Sequence, residues 1–167
     1  MLFIKNVEIV ENFSSYSTIY VSRYCLIYDV EDPIEFIYLH GFSDASSLAY
    51  GACIFLKSIT KSGNIKVSLV TSKSRLVPLK RKITIPRLEL LGNLILAKLM
   101  NLVFMTLKEE TFINSYHLWS DSMISLAWIK ANKKEIKHFV ENRVKVIRSI
   151  VHRESCSYCQ TKENPAD

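Results

Sequence analysis

Glycine and proline are scarce, with four of each in 167 residues. That excludes a low-complexity or disordered chain. Cysteine is equally sparse: Cys25, Cys53, Cys156 and Cys159 are the only four. No long apolar core follows Met1-Leu2-Phe3-Ile4, because Lys5 and acids come next. A secretory signal is therefore not expected. The expected setting is intracellular, cytoplasmic or nuclear rather than secreted, with the thiols reduced. Neither Asp44-Ala45-Ser46 nor Asp121-Ser122-Met123 has the Gly of Asp-Thr/Ser-Gly, which excludes an aspartic protease. No nucleophile elbow surrounds Ser43. A serine hydrolase built from Ser43, Asp121 and one of His40, His117, His138 or His152 is thereby set aside. His152, Cys156 and Cys159 offer three zinc ligands where a structural site needs four, so His138 or Cys53 would have to come from elsewhere. Cysteines on a strand are the simpler reading.

Acidic residues are missing over one long interval. Between Lys57 and Leu88 there are nine Lys and Arg, among them Lys73, Arg75, Lys80 and Arg87, and no Asp or Glu. A second basic block runs over 130–153. The formal net charge is +6. Basic blocks around isolated acids suit a surface that grips phosphates about a small acidic centre. A solvated basic face without a partner is the plainer alternative.

Hydrophobic residues make up 49% of the chain, enough for one core. Residues 1–35 carry most of the clustered acids and Ser-rich stretches. They read as an irregular extension with one strand near 19–21. Strand-like runs follow over 36–43, 49–57 and 65–72, with a loop at Lys61-Ser62-Gly63-Asn64, which predicts an antiparallel meander. Pro86 then opens a helix to residue 107, with Thr84 as its cap. The expected buried stripe is Leu88, Leu91, Ile95, Leu99 and Leu102. The helix is apolar nearly all round, so a membrane span has to be weighed. Asn93, Lys98 and Asn101 interrupt it, and a Lys at a helix centre costs about 2.5–3.5 kcal/mol on insertion scales. A buried core helix is the expectation. Ser115 to Ser120 reads as a fourth strand, followed by a helix capped by Ser120 or Asp121. A further helix is predicted over 139–151, a short strand over 156–159, and the start of a last helix at Asn164-Pro165. The order predicts a mixed five-stranded sheet: a three-strand antiparallel meander plus parallel strands, with helices on both faces.

Four carboxylates stand at element boundaries. Asp44 ends a strand, Glu89 lies in the first turn of the long helix, Asp121 ends the fourth strand, and Asp167 follows Asn164-Pro165. Clustered carboxylates are tolerated when a cation neutralises them. Mg²⁺ takes hard oxygen ligands and shares them with phosphate. Each acid alone is as well explained by a turn or a cap.

Together the motifs resemble a known family. Phe42-Ser43-Asp44-Ala45-Ser46, Ile85-Pro86-Arg87-Leu88-Glu89-Leu90, Trp119-Ser120-Asp121-Ser122 and Asn164-Pro165-Ala166-Asp167 are similar to the successive acidic motifs of the ribonuclease H domain of retroelement polymerases. The likeness is to the BEL/Pao class of LTR retrotransposons. It extends to Ala49-Tyr50-Gly51-Ala52 and to Phe139-Val140-Glu141-Asn142-Arg143-Val144. The resemblance implies an α/β, RNase H-like fold over 36–167, truncated at its C-terminus, with 1–35 as the connection to a reverse transcriptase. It implies that Asp44, Glu89, Asp121 and Asp167 hold two Mg²⁺ (or Mn²⁺) ions and cleave the RNA strand of an RNA–DNA hybrid. The expected substrate contacts are Lys73, Arg75, Lys80, Arg87 and Ser122. Arg87 can reach a phosphate or pair with a carboxylate. Implied partners are nucleic acid and the reverse transcriptase and integrase regions of one polyprotein, with no membrane. Where the family carries a Trp and a Val-Pro pair before its last motif, this chain has Cys156 and Cys159-Gln160, and no His stands in 157–163. The competing reading is a catalytically inactive or domesticated nucleic-acid-binding module. Metal binding separates the two.

Overall fold

The computed structural model describes residues 31–78, 83–131 and 137–167. The strand expected near 19–21 and Lys80 lie outside the described residues. Five strands form one sheet: β1 (Ile34–Ala45), β2 (Ala49–Thr60), β3 (Ile65–Leu76), β4 (Ser115–Ser120) and β5 (Cys156–Tyr158). Three helices accompany them: α1 (Ile85–Leu107), α2 (Met123–Lys130) and α3 (His138–Ile150). The sheet order is β3-β2-β1-β4-β5. β1, β2 and β3 are antiparallel neighbours, β4 joins β1 in parallel, and β5 joins β4 in parallel. The chain has the mixed five-stranded α/β sheet, an antiparallel meander plus parallel strands, expected of its motif order.

β1 sets the geometry because its residues alternate faces. Ile37, Leu39, Gly41 and Ser43 are buried, while Tyr38, His40 and Phe42 are half-exposed between them. The buried set faces α1. A Cβ on Gly41 would stand 2.5 Å from Leu96 Cδ1 and 3.0 Å from Met100 Cε. A glycine there is what lets the helix lie so close. Asn114 fixes the start of the parallel pair. Its Oδ1 accepts from Ile37 N at 2.7 Å, and its own N donates to Ile37 O at 2.9 Å.

α1 begins at Ile85, with Thr84 as its N-cap residue and Pro86 in its first turn. The Thr84 side chain makes no capping bond; its carbonyl accepts from Arg87 N and Leu88 N instead. The expected stripe is partly rotated. Leu88, Ile95 and Leu99 are buried, but Leu102 is 63% exposed, and Leu96, Met100, Val103 and Leu107 do the packing. A helix apolar on all sides does not announce which side meets the sheet. By length and composition α1 could cross a membrane. Here one side of it packs on the sheet and another on α3, while Ile85, Leu102 and Met105 stay exposed. α3 contributes Val140, Val144 and Ile147, one stripe at helical spacing.

The helices expected on both faces gather on one among the described residues: α1 packs on β1 and β2, and α2 and α3 pack against α1. Because α1 is apolar all round, it is covered by helices as well as by the sheet. The opposite face carries a row of rings. His40 stacks on His117 at 5.5 Å between centroids, and Trp119 Nε1 donates to His40 Nδ1 at 3.2 Å. These histidines are packing and hydrogen-bonding residues, as their strand positions suggest.

Candidate metal centre

Strand register brings the first two carboxylates together. Ser43 pairs with Ser120 across β1 and β4; Asp44 is the next residue of β1, and Asp121 is the first residue after β4. α1 supplies the third. Glu89 is the fifth residue of a helix that starts at Ile85, so it sits one turn in rather than in the first turn as expected. Gly92 follows on the same side. A Cβ there would lie 3.1 Å from Asp44 O and 3.4 Å from Gly51 O, so the helix rests directly on the ends of β1 and β2. Each of Asp44, Glu89 and Asp121 offers an oxygen within 4.8 Å of the others. Among the described residues this is the single group of three or more His, Cys, Asp or Glu side chains so placed.

The electrostatics follow from that crowding. Burial first, then the charges of Asp121 and Asp44, push the Glu89 carboxyl from its ordinary 4.5 up to about 8. Asp44 is raised as well, first by burial and then by Asp121 and Asp167, against a backbone hydrogen bond that favours its charged form. Glu89 Oε2 and Asp121 Oδ1 are buried without a hydrogen-bond partner. An orphaned buried carboxylate oxygen costs free energy. Three converging acids with two such oxygens fit a hard divalent cation.

Asp167 stands apart. It is exposed and outside the tight group, yet close enough for its charge to raise Asp44. Its turn is fastened to β1: Asn164 Nδ2 donates to Ser43 O at 3.1 Å. Asn164 Oδ1 accepts from Ala166 N, and Asp167 N donates to Asn164 O, so the expected Asn cap holds one turn. Asp44 and Asp167 line a cleft of about 460 Å³ with Lys73, Tyr50 and Ser74.

The other expected substrate contacts separate. Lys73 is in the cleft. Arg75 is exposed on β3 opposite Tyr50 and does not line the cleft. Arg87 lies over the Phe139 ring at 5.0 Å, and Arg143 lies over it at 3.5 Å. Its guanidinium is thus engaged with an aromatic face. Ser122 caps α2, accepting from Ser125 N at 3.3 Å. This replaces the expected caps, because the helix starts two residues after Asp121 and Ser120 Oγ is turned inward. Cys53, Cys156 and Cys159 are buried free thiols outside any ligand group among the described residues. Burial holds the Cys156 thiol up at about 11, which suits packing rather than zinc.

Sequence reasoning missed the polar layer beneath the acids: Ser43, Asn93, Ser120 and Ser125, all buried. Two signals were available. A Ser precedes the Asp at both strand ends, and Asn93 interrupts an apolar helix four residues after Glu89.

A family model described as the Pao retrotransposon-like RNaseH-like domain matches residues 3–122, more than half of the chain. The match takes in Asp44, Glu89 and Asp121 and stops before Asp167. No curated protein matches. The fold is similar to several solved structures. One is the N-terminal RNase H domain of a Mycobacterium tuberculosis protein (7% identity, 77% of this chain, 84% of that chain, TM-score 0.45). Another is RNase H1 of Halobacterium salinarum (8% identity, 77% and 88%, TM-score 0.40). A third is an RNase H1 isolated from compost by a metagenomic approach, solved in complex with an RNA/DNA hybrid (12% identity, 77% and 88%, TM-score 0.40).

Proposed function

The chain belongs to the Pao retrotransposon-like RNase H-like domain family, and on that premise we propose that it is a nuclease of the ribonuclease H type. It would hydrolyse the RNA strand of an RNA–DNA hybrid at Asp44, Glu89 and Asp121. The observation that carries this reading is their convergence within 4.8 Å, with buried oxygens of Glu89 and Asp121 left unpartnered.

Asp44, Glu89 and Asp121 would hold Mg²⁺ or Mn²⁺, with two ions as the expected complement. A cation held there would supply activation of a water and stabilisation of the leaving oxygen of a phosphodiester. The protein positions and neutralises. The three carboxylates set where a scissile phosphate has to lie. Lys73, which lines the same cleft as Asp44, would meet the backbone charge of the strand. Asp167 at the rim adds a fourth carboxylate where the substrate approaches. Within a retroelement polyprotein, reverse transcriptase and integrase regions would be its neighbours.

A second reading has its own support. Asp167 stands outside the tight group, as expected of a nucleic-acid-binding module that no longer cuts. The test is cleavage of a labelled RNA–DNA hybrid with Mg²⁺ or Mn²⁺, with EDTA, and with Asp44→Asn. Metal-dependent cutting of the RNA strand, lost in the variant, establishes the nuclease. Hybrid binding without cutting establishes the module.

A further inference from the structure

Asn93 is out of place by composition. It lies in the middle of α1, on the side that meets the sheet, and is 3% exposed. Asn is a poor helix former, and an unpaired buried amide is costly. Its amide is fully used. Oδ1 accepts from Ser43 Oγ at 3.3 Å. Nδ2 reaches Ser125 Oγ at 3.0 Å, Glu89 O at 3.1 Å and Ser120 Oγ at 3.4 Å. An amide has two N–H donors, so the two short contacts take them and Ser120 is the longer, shared one. The serines are oriented to match. Ser125 Oγ donates to Ser122 O, leaving a lone pair for Asn93, and Ser120 Oγ accepts from Ser122 N.

Three of the four partners belong to the acidic centre or are covalently next to it, and the fourth, Ser125, is on α2. Ser43 precedes Asp44, Ser120 precedes Asp121, and the accepting carbonyl is that of Glu89 itself. One neutral side chain therefore joins β1, β4, α1 and α2 directly beneath three carboxylates that repel one another. We propose that Asn93 is the positioning residue of this centre: its buried amide ties the two strand ends to the helix and sets the separations on which cation binding depends. The inference rests on the nuclease reading, since it concerns the same site.

A buried polar residue can also serve stability alone, so the test needs a readout that stability does not move. Mn²⁺ binding to the full chain is titrated by calorimetry, with thermal melting alongside, for wild type, Asn93→Ala and Val103→Ala. Val103 is buried on the same helix, well away from the acids. Outer partners of metal ligands typically contribute 10–100-fold in affinity. The expectation is that Asn93→Ala weakens Mn²⁺ by about tenfold or more, while Val103→Ala lowers the melting temperature and leaves affinity unchanged. If Asn93→Ala does not fold, Asn93→Ser, which keeps one hydrogen-bonding group, takes its place with the same expected direction. Affinity within twofold of wild type in the Asn93 variant overturns the proposal. So does an equal loss in Val103→Ala. Wild type that binds no Mn²⁺ overturns the nuclease reading and this proposal with it; wild type that binds while the Asn93 variant does too removes this proposal alone.

Discussion

Ser43 and Ser120 are paired across two parallel strands, so the carboxylates that follow them, Asp44 and Asp121, come side by side at the same end of the sheet. Register alone makes this half of the acidic centre. The other half depends on how closely α1 approaches.

Two glycines control that approach, one on each surface. In Gly41→Ala the new Cβ meets Leu96 Cδ1 at 2.5 Å, so the helix or the leucine has to move. Overpacking of this kind costs about 1–3 kcal/mol, measurable by denaturant unfolding. Gly92→Ala sets two effects against each other. Alanine favours the helix by about 1 kcal/mol, but its Cβ meets the Asp44 carbonyl at 3.1 Å, and backbone does not yield easily. Glu89 is then carried away from Asp44. Weaker Mn²⁺ binding is expected whichever way the melting temperature moves, and unchanged binding would show that the close approach is dispensable.

The raised carboxyl of Glu89 makes the metal-free protein sensitive to rising pH. Unfolded, the group titrates near 4.5; folded, near 8. Across that window the folded state binds more protons than the unfolded one, so stability falls as pH rises. Below the window both states are protonated and the penalty is absent; above it both are ionised and the penalty is complete. Melting temperatures between pH 4.5 and 8 should therefore decline in EDTA. Glu89→Gln should flatten that decline, and added Mg²⁺ or Mn²⁺ should oppose it. A decline that persists unchanged in Glu89→Gln would assign it to other groups.

Lys73 and Arg87 should behave differently despite their shared charge. Lys73 lines the cleft with Asp44, whereas Arg87 lies over Phe139. Lys73→Gln should weaken hybrid binding and reduce the slope of log affinity against log salt by about 1. Arg87→Gln should leave that slope nearly unchanged and lower stability by about 0.5–1 kcal/mol through the lost cation–π contact. Equal salt slopes for the two variants would contradict this assignment.

Asp32 clasps the far end of the sheet. Its carboxylate accepts from Ser62 N, Ser62 Oγ and Asn64 Nδ2, closing the β2–β3 turn onto the start of β1. The hydroxyls of Ser62 and Thr60 are the main reason its pKa lies well below the usual carboxylate range. The clasp therefore contributes at any pH above the ordinary aspartate value and weakens only in strong acid. Asp32→Asn should speed amide exchange in residues 60–65 and leave the acidic centre untouched, as a metal titration of the variant would show.

Much of this arrangement was legible before any coordinates. Strand β4 is found where Ser115 to Ser120 placed it, and the β1–β2–β3 meander follows the runs between loop residues. Pro86 and Thr84 mark the start of α1 because the first turn needs no donor at proline. These are local effects, written in neighbouring residues. Four acidic motifs in order were also enough to indicate the family. Local chemistry could not say which side of an apolar helix meets the sheet, so Leu102 was expected inside and Leu96 and Met100 take that place. Nor could it show that Asp44, Glu89 and Asp121 meet within 4.8 Å while Asp167 stays at the rim. Those distances are set by strand register, by two glycines that admit the helix, and by the buried amide of Asn93, contacts between segments dozens of residues apart. The sequence determined the local elements and the acids they bear; packing between distant segments decided which of those acids stand together.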